Sequence, residues 1–279
     1  MINYYLLTKP GIIMGNLITV AAGFILGSKG KLDFQLFLVT VLAMTLIMAS
    51  ACIFNNYIDR ELDQKMKRTQ NRGFAKGRVQ ASTAIILAMF FGLIGHGMLL
   101  VFTNILTFAL AATGFFVYVV LYSLWKSKTV YGTAIGSVAG AIPCVVGYAA
   151  VSNRFDAIAM ILFAMMVLWQ MPHFFAIALF HFDDYSKGGI PVLPIVKGVF
   201  RTKVHMLIYI VLFVLLALML PLLGVVGSGF FIAMSGVGAI WLGASIKGFW
   251  CVDDVLWGKQ MFRLSLAVIT VFSFFVLVP

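Results

Sequence analysis

The strongest constraint in this chain is a series of apolar runs free of charged residues, repeated nine times and each close to the length of a bilayer crossing. They cover about residues 11–27, 34–54, 82–102, 105–125, 130–152, 157–180, 204–223, 229–246 and 264–278. A helix needs about 20 apolar residues to traverse the hydrocarbon. The stretch 79–125 has no Asp, Glu, Lys or Arg but is too long for one crossing, so Thr103–Asn104 is read as a hairpin. The stretch 204–246 divides in the same way at 224–229. Backbone amides cannot stay unpaired in lipid, which makes such segments helical. Composition agrees: 62% of residues are hydrophobic and 10% charged, against about 25% charged in soluble domains. The expectation is an all-α protein, a polytopic membrane helical bundle of nine transmembrane helices. It forms a single membrane-embedded domain over 1–279, with catalytic loops at about 55–80 and 181–203.

Lysine and arginine divide unequally between the two sides. The N-terminal flank and the loops after spans two, four, six and eight hold 17, and the opposite side holds only Lys29, Lys31 and Arg154. Positively charged loops stay in the cytoplasm, so the N-terminus is placed there and the chain is assigned to the cell (inner) membrane. Basic loops beside an anionic leaflet also account for the net charge of +11 without a nucleic-acid partner. Lys9 and Pro10 precede a first run too long for a signal-peptide core, so no cleavable leader is expected. Cys52, Cys144 and Cys251 are scattered and odd in number, and read as small buried hydrophobes.

Two long polar loops on the basic side carry the chemistry. The first begins with Asn55, Asp59 and Asp63, spaced four apart, and continues through Lys65, Lys67, Arg68 and Arg72. If span two continues as a helix, that spacing puts the three side chains on one face. Two carboxylates one turn apart repel unless a cation lies between them. Mg²⁺ takes oxygen ligands, commonly one or two carboxylates plus substrate phosphates, and the basic run suits the rest of a diphosphate. The alternative is a solvated helix end with Glu61–Lys65 and Asp63–Lys67 as ordinary helical pairs; Glu61 is assigned to it, whereas Asn55, Asp59 and Asp63 are read as the site. The second loop repeats the theme with His181, Asp183, Asp184, Tyr185 and Lys187, then Gly188-Gly189-Ile190-Pro191; alone it reads equally well as a polar turn. Inside span six, Trp169, His173 and Phe174 flank Pro172. An ionisable residue in a span is a functional candidate, with a hydrogen-bonded core histidine as the alternative. His96 reads as packing. Lys9 is an interfacial anchor or a ligand, and Asn16 in span one needs a partner.

At these residues the chain resembles the UbiA superfamily of intramembrane prenyltransferases. Asn55, Asp59 and Asp63 match its first Asp-rich motif. Leu7–Asn16, Lys67-Arg68-Thr69, Trp169–Phe174 and Asp183-Asp184-Tyr185 with Gly189-Ile190-Pro191 are similar to its haem branch, and the resemblance covers essentially the whole chain. Two departures stand out: Phe180 replaces the earlier Asp of the second motif, and Gly73 follows Arg72 where a proline is usual.

The resemblance implies farnesyl transfer from farnesyl diphosphate to a vinyl group of haem B, giving haem O and diphosphate, with Mg²⁺ as cofactor. It implies metal ligation by Asp59, Asp63 and Asp184, with Asn55 in the catalytic set. Substrate binding falls to Lys9, Asn16, Lys67, Arg68, Arg72, Trp169, His173, Asp183, Tyr185 and Lys187, and Asp184 is expected to matter more than Asp183. Tyr118, Tyr122, Trp169 and Phe174 are candidate walls for the allylic cation. A haem-copper terminal oxidase is the implied recipient of the product. The rival readings are a related prenyltransferase with an aromatic or chlorin acceptor, a haem-binding chaperone, and a secondary transporter. The last would place ionisable residues at the bilayer midplane, whereas here nearly all acids gather at one face.

Overall fold

A computed structural model describes residues 2–276. Among them are nine helices long and apolar enough to cross a membrane: α1 (Pro10–Ser28), α2 (Phe34–Ile58), α3 (Ala81–Phe102), α4 (Ile105–Trp125), α5 (Gly132–Ser152), α6 (Ala157–Phe180), α7 (Val199–Leu222), α8 (Ser228–Lys247) and α9 (Asp254–Phe275). No strand occurs among the described residues. The expected order of spans holds, but two starts move. α7 begins at Val199 and α9 at Asp254, so Arg201, Lys203, Lys259 and Arg263 are helical rather than loop residues. Asp253 explains the second shift: its carboxylate accepts from the amides of Val255 and Leu256 (3.0 and 2.9 Å) and caps the helix ten residues before the charge-free run begins. Lys203, buried at the start of α7, pairs with Asp254 at 2.5 Å. The far end of the ninth expected span, beyond 276, lies outside the described residues.

α1, α5, α6 and α9 form a closed group, each packing on the next, with α2, α3 and α4 to one side and α7 and α8 to the other. The core runs through α5 to α9, where Phe213, Trp241 and Phe272 are fully buried. Leu93, Val101, Leu222 and Ile232 point outward from the bundle, as lipid-facing residues do. Polar groups inside are bonded between helices: the Ser50 hydroxyl on α2 donates to Ala88 O on α3 at 2.6 Å. Short helices at Arg60–Gln64, Phe182–Lys187 and Leu193–Lys197 build the polar cap over one end of the bundle, here called the basic face.

The crossing of α1 and α5 depends on absent side chains. A Cβ on Gly23 would lie 2.0 Å from Cys144 O, and one on Gly147 would lie 2.0 Å from Val20 O. Small residues let membrane helices approach backbone to backbone, and neither carbonyl can yield without moving its helix. Gly147→Ala is therefore expected to cost about 3 kcal/mol, the upper end for overpacking a close contact. Thermal unfolding of the purified protein in detergent checks this, with Gly97→Ala, which meets open space, as the control that leaves the transition unmoved.

Candidate active site

The last turn of α2 delivers the first cluster. Beyond Ile58 the chain keeps the helical bond pattern: the Asp59 amide donates to Asn55 O (3.0 Å) and the Asp63 amide to Asp59 O (2.8 Å). Asn55, Asp59 and Asp63 are 1%, 4% and 2% exposed and line one cavity of about 220 Å³ opening on the basic face. Each carboxylate has a cation from elsewhere in the chain. Lys126, just after α4, pairs with Asp59. Arg72 forks onto Asp63, its Nη1 lying 2.9 Å from both oxygens. The helical pair expected for Glu61 does not form, since Glu61 meets Arg60 at 3.2 Å, whereas Asp63, read as a site residue, points inward to Arg72 and not to Lys67.

Lys9 reaches the same point from the other side. It adopts the left-handed conformation, φ 53° and ψ 62°, directly before Pro10. Left-handed backbone is uncommon for non-glycine residues, and here it directs Nζ to Asn55 Oδ1 at 2.6 Å. The Asn55 amide group donates to the Ser123 hydroxyl (2.9 Å), which in turn donates to Tyr118 O (3.0 Å). That five-residue reach belongs to a π-helical turn at Val117–Tyr122 within α4, and such turns cluster at functional sites. It stacks Tyr118 on Tyr122, ring centroids 5.5 Å apart, along the cavity wall. Lys126 also lies 5.3 Å from the Tyr122 ring. Gly132 admits it there, since a Cβ would stand 2.6 Å from Lys126 Cα.

The second loop closes the cavity without adding a carboxylate to it. Tyr185, Ile190 and Pro191 line it, and the Arg68 guanidinium lies 5.5 Å from the Tyr185 ring. Asp184 turns elsewhere: its oxygens accept from the Lys67 and Arg68 amides at 3.1 and 3.3 Å. It borders a separate hollow with Lys67, His181, Asp183 and Lys187. In this structure Asp184 is thus a clamp on the basic turn and does not join Asp59 and Asp63 as the expected metal ligand. Among the described residues no three His, Cys, Asp or Glu side chains gather as a metal site. Asp183 and Lys187 are exposed.

The remaining candidates stand apart. Asn16 donates to Ile12 O in its own helix at 2.8 Å, which answers its need for a partner without a substrate. Trp169 and His173 lie at the joint of α6 and α9, bonded to Ser265 O (2.7 Å) and Ser265 Oγ (2.8 Å). Only Phe174 of that block faces the cavity. Lys126 and Ser123 were missed as site residues. The sole signal for Lys126 was its place at the head of a loop on the basic side.

The donor set fits Mg²⁺. Asp59 and Asp63 offer hard carboxylate oxygens one turn apart to one cavity, the pattern of an ion completed by water and phosphate oxygens. The cavity's charged lining is four cations (Lys9, Arg68, Arg72, Lys126) against these two carboxylates, so it still favours an anion. The Lys126–Asp59 pair is largely shielded from solvent, and deleting one partner strands the other charge. Lys126→Met is expected to destabilise the protein by about 3 kcal/mol, and adding Asp59→Asn should restore most of it. A thermal-unfolding double-mutant cycle measures both.

The UbiA prenyltransferase family model matches residues 16–267. Protoheme IX farnesyltransferase of Protochlamydia amoebophila (strain UWE25) is 53% identical over 274 residues, 98% of this chain and 97% of that one. The protein of the same name from Edwardsiella ictaluri (strain 93-146) is 48% identical over 272 residues, covering 97% and 92%. Among solved structures, a digeranylgeranylglyceryl phosphate synthase superposes with a TM-score of 0.80 at 18% identity, covering 99% of this chain and 98% of that one. A UbiA homologue from Archaeoglobus fulgidus bound to DMAPP and Mg²⁺ gives 0.70 at 16% identity, covering 99% of each chain. By its sequence along nearly its whole length, and by the fold that carries the acidic cluster, the chain belongs to the UbiA prenyltransferase family and is a membrane prenyltransferase.

Proposed function

We propose that this cavity holds farnesyl diphosphate while its farnesyl group passes to a vinyl group of haem B, giving haem O and diphosphate. The acceptor and the prenyl chain rest on the relatives' name. The observation that carries the assignment to this cavity is its charge: four cations around two buried carboxylates, beside a stacked tyrosine wall.

Lys9, Arg68, Arg72 and Lys126 bind the diphosphate oxygens. Asp59 and Asp63, beside Asn55, would hold Mg²⁺, which when bound offsets the charge that develops on the leaving diphosphate. The C1–O bond breaks and its electron pair leaves with diphosphate. Tyr118 and Tyr122 present ring faces that stabilise an allylic cation, and Phe174, Ile177 and Ile190 keep water from it. The terminal vinyl carbon supplies the electron pair for the new C–C bond. Water then adds to the carbon next to the macrocycle and loses a proton, which forms the hydroxyethyl group. The side bearing 17 of the 20 lysines and arginines is assigned to the cytoplasm, with the N-terminus, in the inner membrane. Following the family resemblance, a haem-copper terminal oxidase receives the product.

Membranes supplied with haem B, labelled farnesyl diphosphate and Mg²⁺ should yield a farnesylated haem by mass spectrometry. Asp59→Asn and Asp63→Asn should each lower the yield about 100-fold or more. Glu61→Gln, on the exposed side of the same turn, should leave it near wild type. Normal turnover in either Asp variant at limiting Mg²⁺ would remove the site assignment.

Lys9 sets a pH dependence. Burial foremost, with Arg72 and Lys126 adding to it, draws its ammonium from 10.5 down to about 8. A lowered lysine pKa means that the charged form is present below about pH 8 and lost above it. The KM for farnesyl diphosphate should therefore climb as pH passes 8. Lys9→Arg should flatten that rise, because a guanidinium keeps its charge throughout this range.

A further inference from the structure

Gln170 is the polar side chain of the Trp169–Phe174 block that neither the cavity nor the bonds to Ser265 account for. It lies within a membrane span, is 5% exposed, and makes no side-chain hydrogen bond among the described residues. An amide buried without a partner is costly, and a polar group inside a span calls for a function.

The place of the carboxamide is set by a gap in α5. Gly132, Gly136 and Gly140 recur every four residues and form one stripe down that helix. Each receives a different side chain. A Cβ on Gly132 would stand 2.6 Å from Lys126 Cα, one on Gly136 2.9 Å from the Tyr122 ring, and one on Gly140 2.2 Å from Gln170 Oε1. Lys126 and Tyr122 line the diphosphate cavity. The stripe therefore leads from the cavity into the bundle, and Gln170 occupies its next step, about 6 Å further in. α6 shows the same order: Ile177 and Phe174 line the cavity, and Gln170 follows them on one helical face.

The surroundings suit a water. Gly140 is half-buried rather than sealed, so the space beside the carboxamide admits a molecule of that size. Pro143 has no amide to give to Ala139 O, next to Gly140, and Pro172 has none to give to Leu168 O. An internal water needs about two to four polar partners, and the carboxamide alone supplies a donor and an acceptor. The proposed reaction needs water at one place only. Near farnesyl C1 it would quench the allylic cation, yet it must reach the carbon next to the macrocycle once the vinyl group has reacted. A single molecule held one turn beyond the tyrosine wall meets both demands.

We propose that the Gln170 carboxamide, seated in the notch left by Gly140, holds and orients the water that completes the hydroxyethyl group. The proposal rests on a haem vinyl group being the acceptor. The vinyl π pair bonds to farnesyl C1 and leaves the positive charge on the carbon joined to the macrocycle. A lone pair of the held water forms the C–O bond. The proton that this oxygen sheds passes to diphosphate, the base released in the first step. Gln170 accepts a hydrogen bond from the water and removes no proton itself, as glutamine does for attacking waters in nucleotide hydrolysis. Without the held water, the same cation loses a proton from the neighbouring carbon and becomes an alkene, one water lighter than haem O.

Purified enzyme in lipid nanodiscs, given haem B, labelled farnesyl diphosphate and Mg²⁺, tests this when the haem products are resolved by mass. The wild type should give the alcohol. Gln170→Leu should raise the ratio of alkene to alcohol about tenfold or more, the worth of one hydrogen bond. Gly140→Ala should raise it too with Gln170 intact, because the added methyl takes the place of Oε1 and displaces only the end of a flexible side chain. A loss of folded protein lowers both products together and leaves the ratio unmoved, which separates this role from packing. Where Gln170→Leu makes no farnesylated haem, Gly140→Ala decides by the same ratio. An unchanged ratio in either variant overturns the inference and leaves the acceptor standing. A wild type that makes no farnesylated haem overturns the acceptor, and the inference with it.

Discussion

The site depends on two carboxylates held out of water at the edge of a bilayer. Asp59 and Asp63 lie one helical turn apart and nearly solvent-free, where an unpaired charge is costly. Lys126 and Arg72 supply the opposite charges, and each comes from a different loop. Such pairs seldom add stability, because desolvation offsets the attraction. Their value is arrangement: the loop after α2 and the end of α4 are drawn to one point, and the cavity's donors are fixed before any substrate arrives. A preorganised polar site avoids the reorganisation that water would have to undergo as diphosphate departs.

From that point the structure grows inward through Asn55. Its side chain receives Lys9 from the start of α1 and reaches Ser123, whose hydroxyl occupies a carbonyl of the π-helical turn. The turn is costly backbone in itself, and in return two tyrosine faces are presented below the anion site. The polar network and the aromatic wall are thus one unit. In the proposed reaction, a cation formed beneath the diphosphate would meet ring faces and apolar side chains rather than solvent.

Much of this was legible in the sequence because a bilayer simplifies the problem. Charge-free runs gave the helices and their order, and spacing by four gave the common face of Asn55, Asp59 and Asp63. The errors share a cause. α9 was started late because Lys259 and Arg263 ended the apolar run, yet a capping Asp253 and reach to the basic face let these cations ride on the helix. The partner of Asp63 was not legible, because local spacing shows only local neighbours such as Lys67, whereas Arg72 folds back over nine residues. Lys126, Ser123 and Ser265 were invisible for the same reason. Their bonds to Asp59, Asn55 and His173 span 67, 68 and 92 positions, and no periodicity reports contacts of that range.

The second loop shows how a repeated motif can diverge in use. The first loop places its acids inside the cavity. The second has Phe180 where an acid would stand, and that ring lies under the Lys259 ammonium. Asp184, four residues on, is occupied by the amides of Lys67 and Arg68. Two consecutive amides held by one carboxylate fix the turn that carries Arg68 to the Tyr185 ring and so to the cavity. Asp183, one position earlier, is exposed. In the proposed reaction the second loop would serve the diphosphate through the first one: its acid sets the position of the basic turn, its tyrosine receives the guanidinium, and Ile190 and Pro191 complete the apolar wall. A ring at position 180 leaves Lys259 without an ion-pair partner among the described residues, where an acid would have taken up its charge.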